Sequence, residues 1–242
     1  MASWWSVIHG YSHPVLNEAI TAQLDSMAHV MFGGLTHQPA VALASKLIDI
    51  TPDAFQSVFF AESGSVSFEV VMKMAIQYWH TKDQSQNQKF LTVRGGYHGD
   101  TLGAMSVTDP DDGMHALFKG YLPDQVTAPV PVDAGTAATF RKLLHDNRAE
   151  IAAIIIEPLV QCAGGMKMHA PETLKTVADA ARDAGVLLIC DEIAVNFGRT
   201  GSLFAHANAG ITPDIICLGK ALTGGAINLA ATVATDEVFG AF

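Results

Sequence analysis

The sequence has few cysteines and few basic residues, and each shortage argues against a class of protein. Three cysteines occur in 242 residues, at 162, 190 and 217, and their spacing fits neither a disulfide framework nor a zinc site. We expect free thiols in a reducing compartment. The 14 basic residues are outnumbered by 24 acidic ones, and the net charge of −10 argues against binding to nucleic acid phosphates.

Long apolar runs and targeting signals are also missing. No stretch approaches the roughly 20 apolar residues that are needed to cross a bilayer. The first residues, Met1 to Trp5, lack the basic start and apolar run of a secretory signal, so we expect a cytoplasmic protein. No G-x-G-x-x-G fingerprint follows a predicted strand, which makes a nucleotide-binding Rossmann domain the least favoured interpretation.

What the sequence does contain is the pattern of an α/β domain. The content of 49% apolar and 16% charged residues is typical of a globular chain, and short apolar runs alternate with longer amphipathic segments. Strands that are apolar on both faces favour a mostly parallel sheet between helix layers. The predicted strands are Ser57–Ala61, Phe90–Val93, Ala152–Ile156, Val186–Cys190, Ile215–Leu218 and Ala230–Ala234, and the clearest helices are Val66–His80 and Pro171–Ala184.

Unusual residues follow four of these strands, at the edge where open α/β sheets bind ligands. The first strand runs through Glu62 and Ser63 into a helix, and a helix N-terminus offers free N–H groups to an anion. Gly64 would allow close approach of a ligand, and Ser65 could add a hydroxyl. The alternative for this segment is a simple serine N-cap.

The second strand is followed by a glycine-rich run from Arg94 to Asp100. Glycines on both sides of Tyr97 and His98 would let one of these rings lie flat over a planar ligand. A glycine-rich turn with a packed tyrosine is the alternative.

Charged residues follow two further strands. Asp191 ends an apolar strand, where a carboxylate requires a cationic partner, such as a protonated pyridine nitrogen. The alternatives are an N-cap or a pair with Arg199. Lys220 stands between Leu218 and Ala221, where desolvation would make its amine a nucleophile that forms a Schiff base. The alternative is a solvated loop lysine.

Together these four features predict a site for pyridoxal phosphate. The phosphate would bind at Gly64 and Ser65, Tyr97 would cover the ring, Asp191 would meet the ring nitrogen, and Lys220 would bond the aldehyde.

The same residues belong to runs that resemble the class III pyridoxal-phosphate aminotransferases, over essentially the whole chain. The runs are Asp191-Glu192-Ile193, Phe197-Gly198-Arg199-Thr200-Gly201, Pro213-Asp214-Ile215 and Gly219-Lys220-Ala221. Other runs resemble the members that transfer an amino group from S-adenosylmethionine to 8-amino-7-oxononanoate. These are Ser3-Trp4-Trp5, Ser63-Gly64-Ser65-Val66 and Gly96-Tyr97-His98-Gly99-Asp100-Thr101.

This resemblance implies a fold-type-I large domain over residues 1–242 and a homodimer with a shared active site. By analogy, the residues that contact substrate are Trp4, Tyr97 and Arg199. Glu157 supports Asp191 without itself contacting the cofactor. Trp5 is expected to pack in the core. The N-terminal segment and the C-terminal small domain of the family are expected to lie outside this sequence.

One run departs from the family, since Val195-Asn196 stands where the family has Thr-Gly. If that position has positive φ, asparagine is the side chain that tolerates it best. The alternatives to the expected activity are another class III enzyme, acting on ω-amino acids or as an aminomutase, and a catalytically silent domain of the same fold.

Overall fold

The computed structural model describes residues 1–242 as an α/β structure. In chain order the strands are β1 (Phe55–Ala61), β2 (Lys89–Val93), β3 (Val126–Ala128), β4 (Ile151–Ile156), β5 (Val160–Gln161), β6 (Lys167–Met168), β7 (Leu187–Asp191), β8 (Ile215–Leu218) and β9 (Ala230–Thr235). The helices are α1 (Pro14–Ser26), α2 (Gln38–Ile50), α3 (Gly64–Thr81), α4 (Leu102–Ser106), α5 (Ala134–Asp146), α6 (Pro171–Ala184) and α7 (Asp236–Phe239). Short 3₁₀ turns cover Ala116–Phe118, Ala205–Ala209 and Lys220–Thr223.

Seven strands form one sheet in the order β1-β9-β8-β7-β4-β2-β3, and β5 pairs with β6 in a separate hairpin. Strand β9 is antiparallel to both of its neighbours, whereas every other pair in the large sheet is parallel. The prediction of a mostly parallel α/β sheet is therefore confirmed. Because only β9 is reversed, the carboxyl ends of β1, β8, β7, β4 and β2 meet at one edge.

Helix layers cover both faces of the sheet. In β4, successive side chains point to opposite faces and pack in different core clusters. Ile154 and Ile156 belong to a core cluster with side chains of α2, α5 and α6, while Ala153 and Ile155 belong to a cluster with α3. All six residues of β4 are buried. This two-sided burial explains why the strand is apolar throughout rather than alternating.

The helix ends follow their local sequence signals. Pro171 begins α6, and Gly185 ends it with a left-handed φ of 61°. Both bounds of this helix agree with the prediction, because a first-turn proline and a left-handed glycine fix them independently of packing.

Apolar side chains of the N-terminal segment are largely exposed. Helix α1 has no buried residue, and Trp4, Val15 and Leu24 are 81%, 62% and 62% exposed. None of the helices combines the length and the apolar character that a membrane span requires.

Candidate functional site

A cavity of about 740 Å³ lies at the edge of the sheet where the parallel strands end. This volume is within the range of sites for small molecules. Six of the seven predicted site residues line it, namely Trp4, Gly64, Ser65, Tyr97, Asp191 and Lys220. The loop of residues 227–229, which leads into β9, closes another side.

The start of α3 forms one wall of the cavity. The hydroxyl of Ser63 accepts a hydrogen bond from the backbone N–H of Val66 at 3.2 Å, so Ser63 is the N-cap. Other first-turn N–H groups have no acceptor within the helix and are available to an anion. A Cβ on Gly64 would lie 2.9 Å from Cδ1 of Ile193, so this position is held close to the residues that follow β7.

The loop after β2 packs directly on this helix start. The backbone N–H of Asp100 donates to the hydroxyl of Ser65 at 3.0 Å. Gly99 has a φ of 130°, and a Cβ there would lie 2.8 Å from the Cα of Ser65. The loop can therefore approach Ser65 only with glycine at position 99.

Tyr97 is held by the side chains of Asp100, in its own loop, and of His115, which follows α4 in the chain. Its hydroxyl donates to Oδ1 of Asp100 at 3.0 Å, and its ring stacks on His115 with a centroid distance of 5.7 Å. Nε2 of His115 is also 3.0 Å from Oδ1 of Asp100. Burial and the nearby carboxylate raise the pKa of the Tyr97 phenol, which therefore stays neutral near pH 7.

Asp191 is buried at the end of β7, and its partner is a histidine. Its Oδ2 lies 2.8 Å from Nδ1 of His98, and its Oδ1 accepts from the backbone N–H of Ile193 at 3.1 Å. The alternative of an ion pair with Arg199 is wrong, because no atom of Arg199 forms an ion pair with a carboxylate. A carboxylate can only accept, so the proton on this pair of atoms belongs to Nδ1.

Glu157 lines the cavity beside Asp191 but forms no hydrogen bond with it. Its Oε2 accepts from the backbone N–H of Tyr97 at 3.2 Å, and its Oε1 accepts from that of Cys162 at 3.1 Å. Burial, and next the charge of Asp191, raise the pKa of Glu157 to about 8. Glu157 thus joins two loops of the cavity wall instead of holding Asp191 in place.

Lys220 directly follows β8 and Gly219, and it has no carboxylate within 4 Å of its Nζ. Its φ of 46° is unusual for a residue other than glycine and is a form of strain that is found at functional sites. Nζ lies 5.5 Å from the centroid of the Trp5 ring. Trp5 is partly buried and packs against a small core cluster that includes Val160 and Val195, and it also lines the cavity next to the lysine.

Two further residues of the Phe-Gly-Arg-Thr-Gly region lie outside the cavity wall. Arg199 is exposed, and its Nη2 donates to the backbone carbonyl of Trp5 at 3.2 Å. Asn196 is buried, and its Nδ2 donates to the carbonyl of Gly219 at 3.2 Å. The condition of positive φ at position 196 is not met, since the left-handed residue is Phe197, with a φ of 49°.

The sequence did not predict the roles that three residues have in this site. His98 is the hydrogen-bond partner of Asp191. Asp100 and His115 support Tyr97. The position of His98 next to Tyr97 was a signal that its side chain belongs to the site. Its pairing with Asp191 could not be predicted from the sequence, because the two residues are 93 positions apart in the chain.

Comparison with known proteins identifies the family of the chain. Residues 1–242 match the family described as aminotransferase class-III, and the chain belongs to that family.

Two relatives carry the name adenosylmethionine-8-amino-7-oxononanoate aminotransferase. The one from Mycobacterium leprae is 54% identical, with 98% of this chain and 55% of the relative covered. The one from Corynebacterium glutamicum is 50% identical, with 98% and 57% covered. The chain therefore spans about half the length of these relatives.

Solved structures of the same family resemble the whole chain. A crystal structure of the enzyme of that name from Methanocaldococcus jannaschii has a TM-score of 0.95 and 37% identity, covering 100% of this chain and 56% of the other. An omega transaminase from Pseudomonas jessenii, in complex with PMP, has a TM-score of 0.91 and 30% identity, covering 100% and 56%. The fold is thus that of fold-type-I aminotransferases.

Proposed function

We propose that this chain is the cofactor-binding large domain of an aminotransferase that uses pyridoxal phosphate. Its reaction would transfer an amino group from S-adenosylmethionine to 8-amino-7-oxononanoate, giving 7,8-diaminononanoate. The observation that carries the proposal is one cavity lined by Ser65, Tyr97, Asp191 and Lys220. The names of the two relatives support the choice of substrates.

The residues of the cavity fit pyridoxal phosphate. Asp191 is a buried carboxylate at the cavity with a histidine and one N–H as partners, which suits a protonated ring nitrogen. Lys220 is an amine without an acidic partner. The capped start of α3, with Gly64 and Ser65, suits the phosphate, and Tyr97 suits the ring face.

Each of these residues would have a definite task in the reaction. When bound, pyridoxal phosphate supplies an electron-withdrawing ring that stabilises negative charge on the reacting carbon. Asp191 would keep the ring nitrogen protonated, and Tyr97, neutral near pH 7, would hold the ring without adding charge. Nζ of Lys220 would bond the cofactor at rest and would move a proton from the amino-bearing carbon of the donor once released.

Substrate contacts are proposed for three side chains. Trp4 offers an exposed ring at the cavity mouth, which suits the aliphatic chain of the oxononanoate. Tyr97 lines the cavity beside the proposed ring site. Arg199 is proposed to act from the rim, since its guanidinium is exposed and supports the backbone of Trp5.

A second candidate is an aminotransferase for ω-amino substrates. The resemblance to the Pseudomonas jessenii omega transaminase supports it, although the identity of 30% is lower than that to the two relatives. Amino-donor preference separates the two candidates, because only the first would use S-adenosylmethionine in a half-reaction.

We further propose a cytoplasmic homodimer. Exposed apolar residues of α1 and of the neighbouring N-terminal segment, such as Trp4, Val15 and Leu24, suit burial against a second copy of the chain. Sedimentation analysis would report twice the monomer mass of 25.7 kDa, and a monomer at all concentrations would contradict this proposal.

The decisive experiment is a visible absorption spectrum of the purified chain after addition of pyridoxal phosphate and removal of the excess. A band of covalently bound cofactor is expected in the parent and in Lys175→Ala, an exposed lysine of α6 that serves as control. Lys220→Ala is expected to lack the band. A band that persists without Lys220, or no band in the parent, would contradict the proposal.

A further inference from the structure

We infer that His98 is a positioning residue that holds Asp191 ready for the ring nitrogen of the cofactor. This inference rests on the proposed function, because it concerns how the chain holds pyridoxal phosphate. Nδ1 of His98 is 2.8 Å from Oδ2 of Asp191, and both side chains are buried. His98 lies in the loop that follows β2, and Asp191 is the last residue of β7. These two strands are separated by β4 in the sheet.

The imidazole ring of His98 is buried and forms only one hydrogen bond. The side chain is 0% exposed and stacks on Phe68 with a centroid distance of 4.7 Å and an interplanar angle of 24°. Its backbone N–H donates to the hydroxyl of Thr108 at 3.3 Å, which fixes the main chain. Nε2 has no partner, so the contact with Asp191 is the only hydrogen bond that the imidazole makes.

The hydrogen bonds of Asp191 explain why one donor matters. Ile193 N–H occupies Oδ1 and His98 occupies Oδ2, so the plane of the carboxylate is fixed by one donor on each oxygen. A carboxylate has capacity for further donors, and Asp191 lines the cavity with that capacity unused. His98 itself does not need to touch the ligand, since it acts through the orientation and charge of Asp191.

The other ionisable groups of the cavity do not replace this contact. Glu157 lies near Asp191, but its oxygens accept from the backbone N–H groups of Tyr97 and Cys162 instead. Lys220 is not within ion-pair distance of either carboxylate. Without His98, the buried negative charge would keep a single hydrogen-bond donor, which disfavours the charged form that the ring nitrogen requires.

Two substitutions separate the hydrogen bond from the packing. His98→Phe keeps an aromatic ring against Phe68 and removes the donor. His98→Asn shortens the side chain but places an amide N–H near the position of Nδ1. We expect cofactor dissociation constants about 10- to 100-fold higher for His98→Phe, as loss of a hydrogen bond to a charged group predicts, and within about threefold of the parent for His98→Asn.

A spectroscopic measurement reports the proposed role directly. Pyridoxal phosphate labelled with ¹⁵N at the ring nitrogen would show a protonated nitrogen in the parent and in His98→Asn at pH 7.5. In His98→Phe the ¹⁵N shift is expected to move towards the unprotonated value. A purely structural role for His98 would weaken binding without changing the protonation of the nitrogen that remains bound.

The outcomes are distinguishable from failure of the proposed function. No cofactor band in the parent would overturn the proposed function, and this inference with it. A band in the parent, with equal ¹⁵N shifts in both variants, would overturn the inference alone. If circular dichroism shows that His98→Phe is unfolded, His98→Gln takes its place, because its amide lies beyond the position of Nδ1 and it should lose the protonated nitrogen as well.

Discussion

Replacement of Gly99 by alanine tests whether the loop after β2 is fitted to the start of α3. Gly99 has a φ of 130°, and its Cα faces the backbone of Ser65, where a new Cβ would lie 2.8 Å from the Ser65 Cα. Relief would require movement of backbone, because Ser65 is in the first turn of a helix that packs on the sheet. The substitution should therefore disturb both the stability of the chain and the proposed phosphate site.

The magnitude follows from two separate contributions. A left-handed backbone costs a residue with a Cβ about 1–2 kcal/mol, and overpacking costs about 1–3 kcal/mol more. We therefore expect Gly99→Ala to lower the free energy of unfolding by about 2–5 kcal/mol. Gly201→Ala is the matched control, because Gly201 has a φ of 102° and a Cβ there would meet no atom within 4 Å. Its cost should be about 1–2 kcal/mol.

Urea unfolding, followed by tryptophan fluorescence and by circular dichroism, measures both variants under the same conditions. The slope of the free energy against urea should be unchanged, so that the midpoints report stability. Equal losses for Gly99→Ala and Gly201→Ala would refute the reasoning, since the steric contribution of Ser65 would then be absent. Weaker cofactor binding is expected for Gly99→Ala alone.

Three further predictions concern other parts of the site. Because the folded chain raises the pKa of Glu157 from 4.5 to about 8, the stability that this group contributes is largest below pH 4.5 and is lost as the pH rises to about 8. Urea unfolding of Glu157→Gln should show a smaller loss over that range than the parent or the exposed control Glu172→Gln. Ser63→Ala should cost about 1 kcal/mol through loss of the α3 cap and Ser63→Gly only a few tenths, and equal costs would contradict the capping role. Asn196→Gly should lower the free energy of unfolding by about 1–3 kcal/mol, because it leaves the carbonyl of Gly219 without its hydrogen-bond donor. Unchanged stability would show that this hydrogen bond contributes nothing.

Elements with a local signal were predictable from the sequence. Strand β8 and helix α6 have the predicted bounds, and β7 differs by one residue at each end. In α6 the signal is a first-turn proline and a glycine after the last turn, and in β8 it is a short apolar run that stops at Gly219. Tertiary contacts do not move such ends.

Helices α1, α2 and α5 were not predicted, for physical reasons. Helix α1 buries no residue, and apolar side chains such as Ile20 and Leu24 are exposed, so packing on the sheet does not mark its bounds. Helix α5 buries only Phe140 and Leu144. Strand β3 has three residues, which is too short for a period of two to be visible.

The candidate site was predictable as a set of strand ends but not as a set of contacts. Each strand end has a local signal, such as Lys220 after an apolar run. The order of the strands in the sheet has no local signal in the sequence, because it depends on long-range pairing that brings β2 and β7 to either side of β4. The pairing of His98 with Asp191, and the place of Trp5 beside Lys220, follow from that order and from the path of the N-terminal segment.

The reversed strand β9 sets a dimension of the cavity that side chains cannot change. It lies between β1, which leads to Ser65, and β8, which leads to Lys220. Neighbouring strands are about 4.8 Å apart, so the strands that lead to these two residues are separated by roughly 9 to 10 Å. A ligand that must reach both has its length fixed by backbone hydrogen bonding. Point substitutions can therefore change substrate preference only in the loops, such as the one that carries Trp4. The distance between Ser65 and Lys220 is set by the sheet and stays the same.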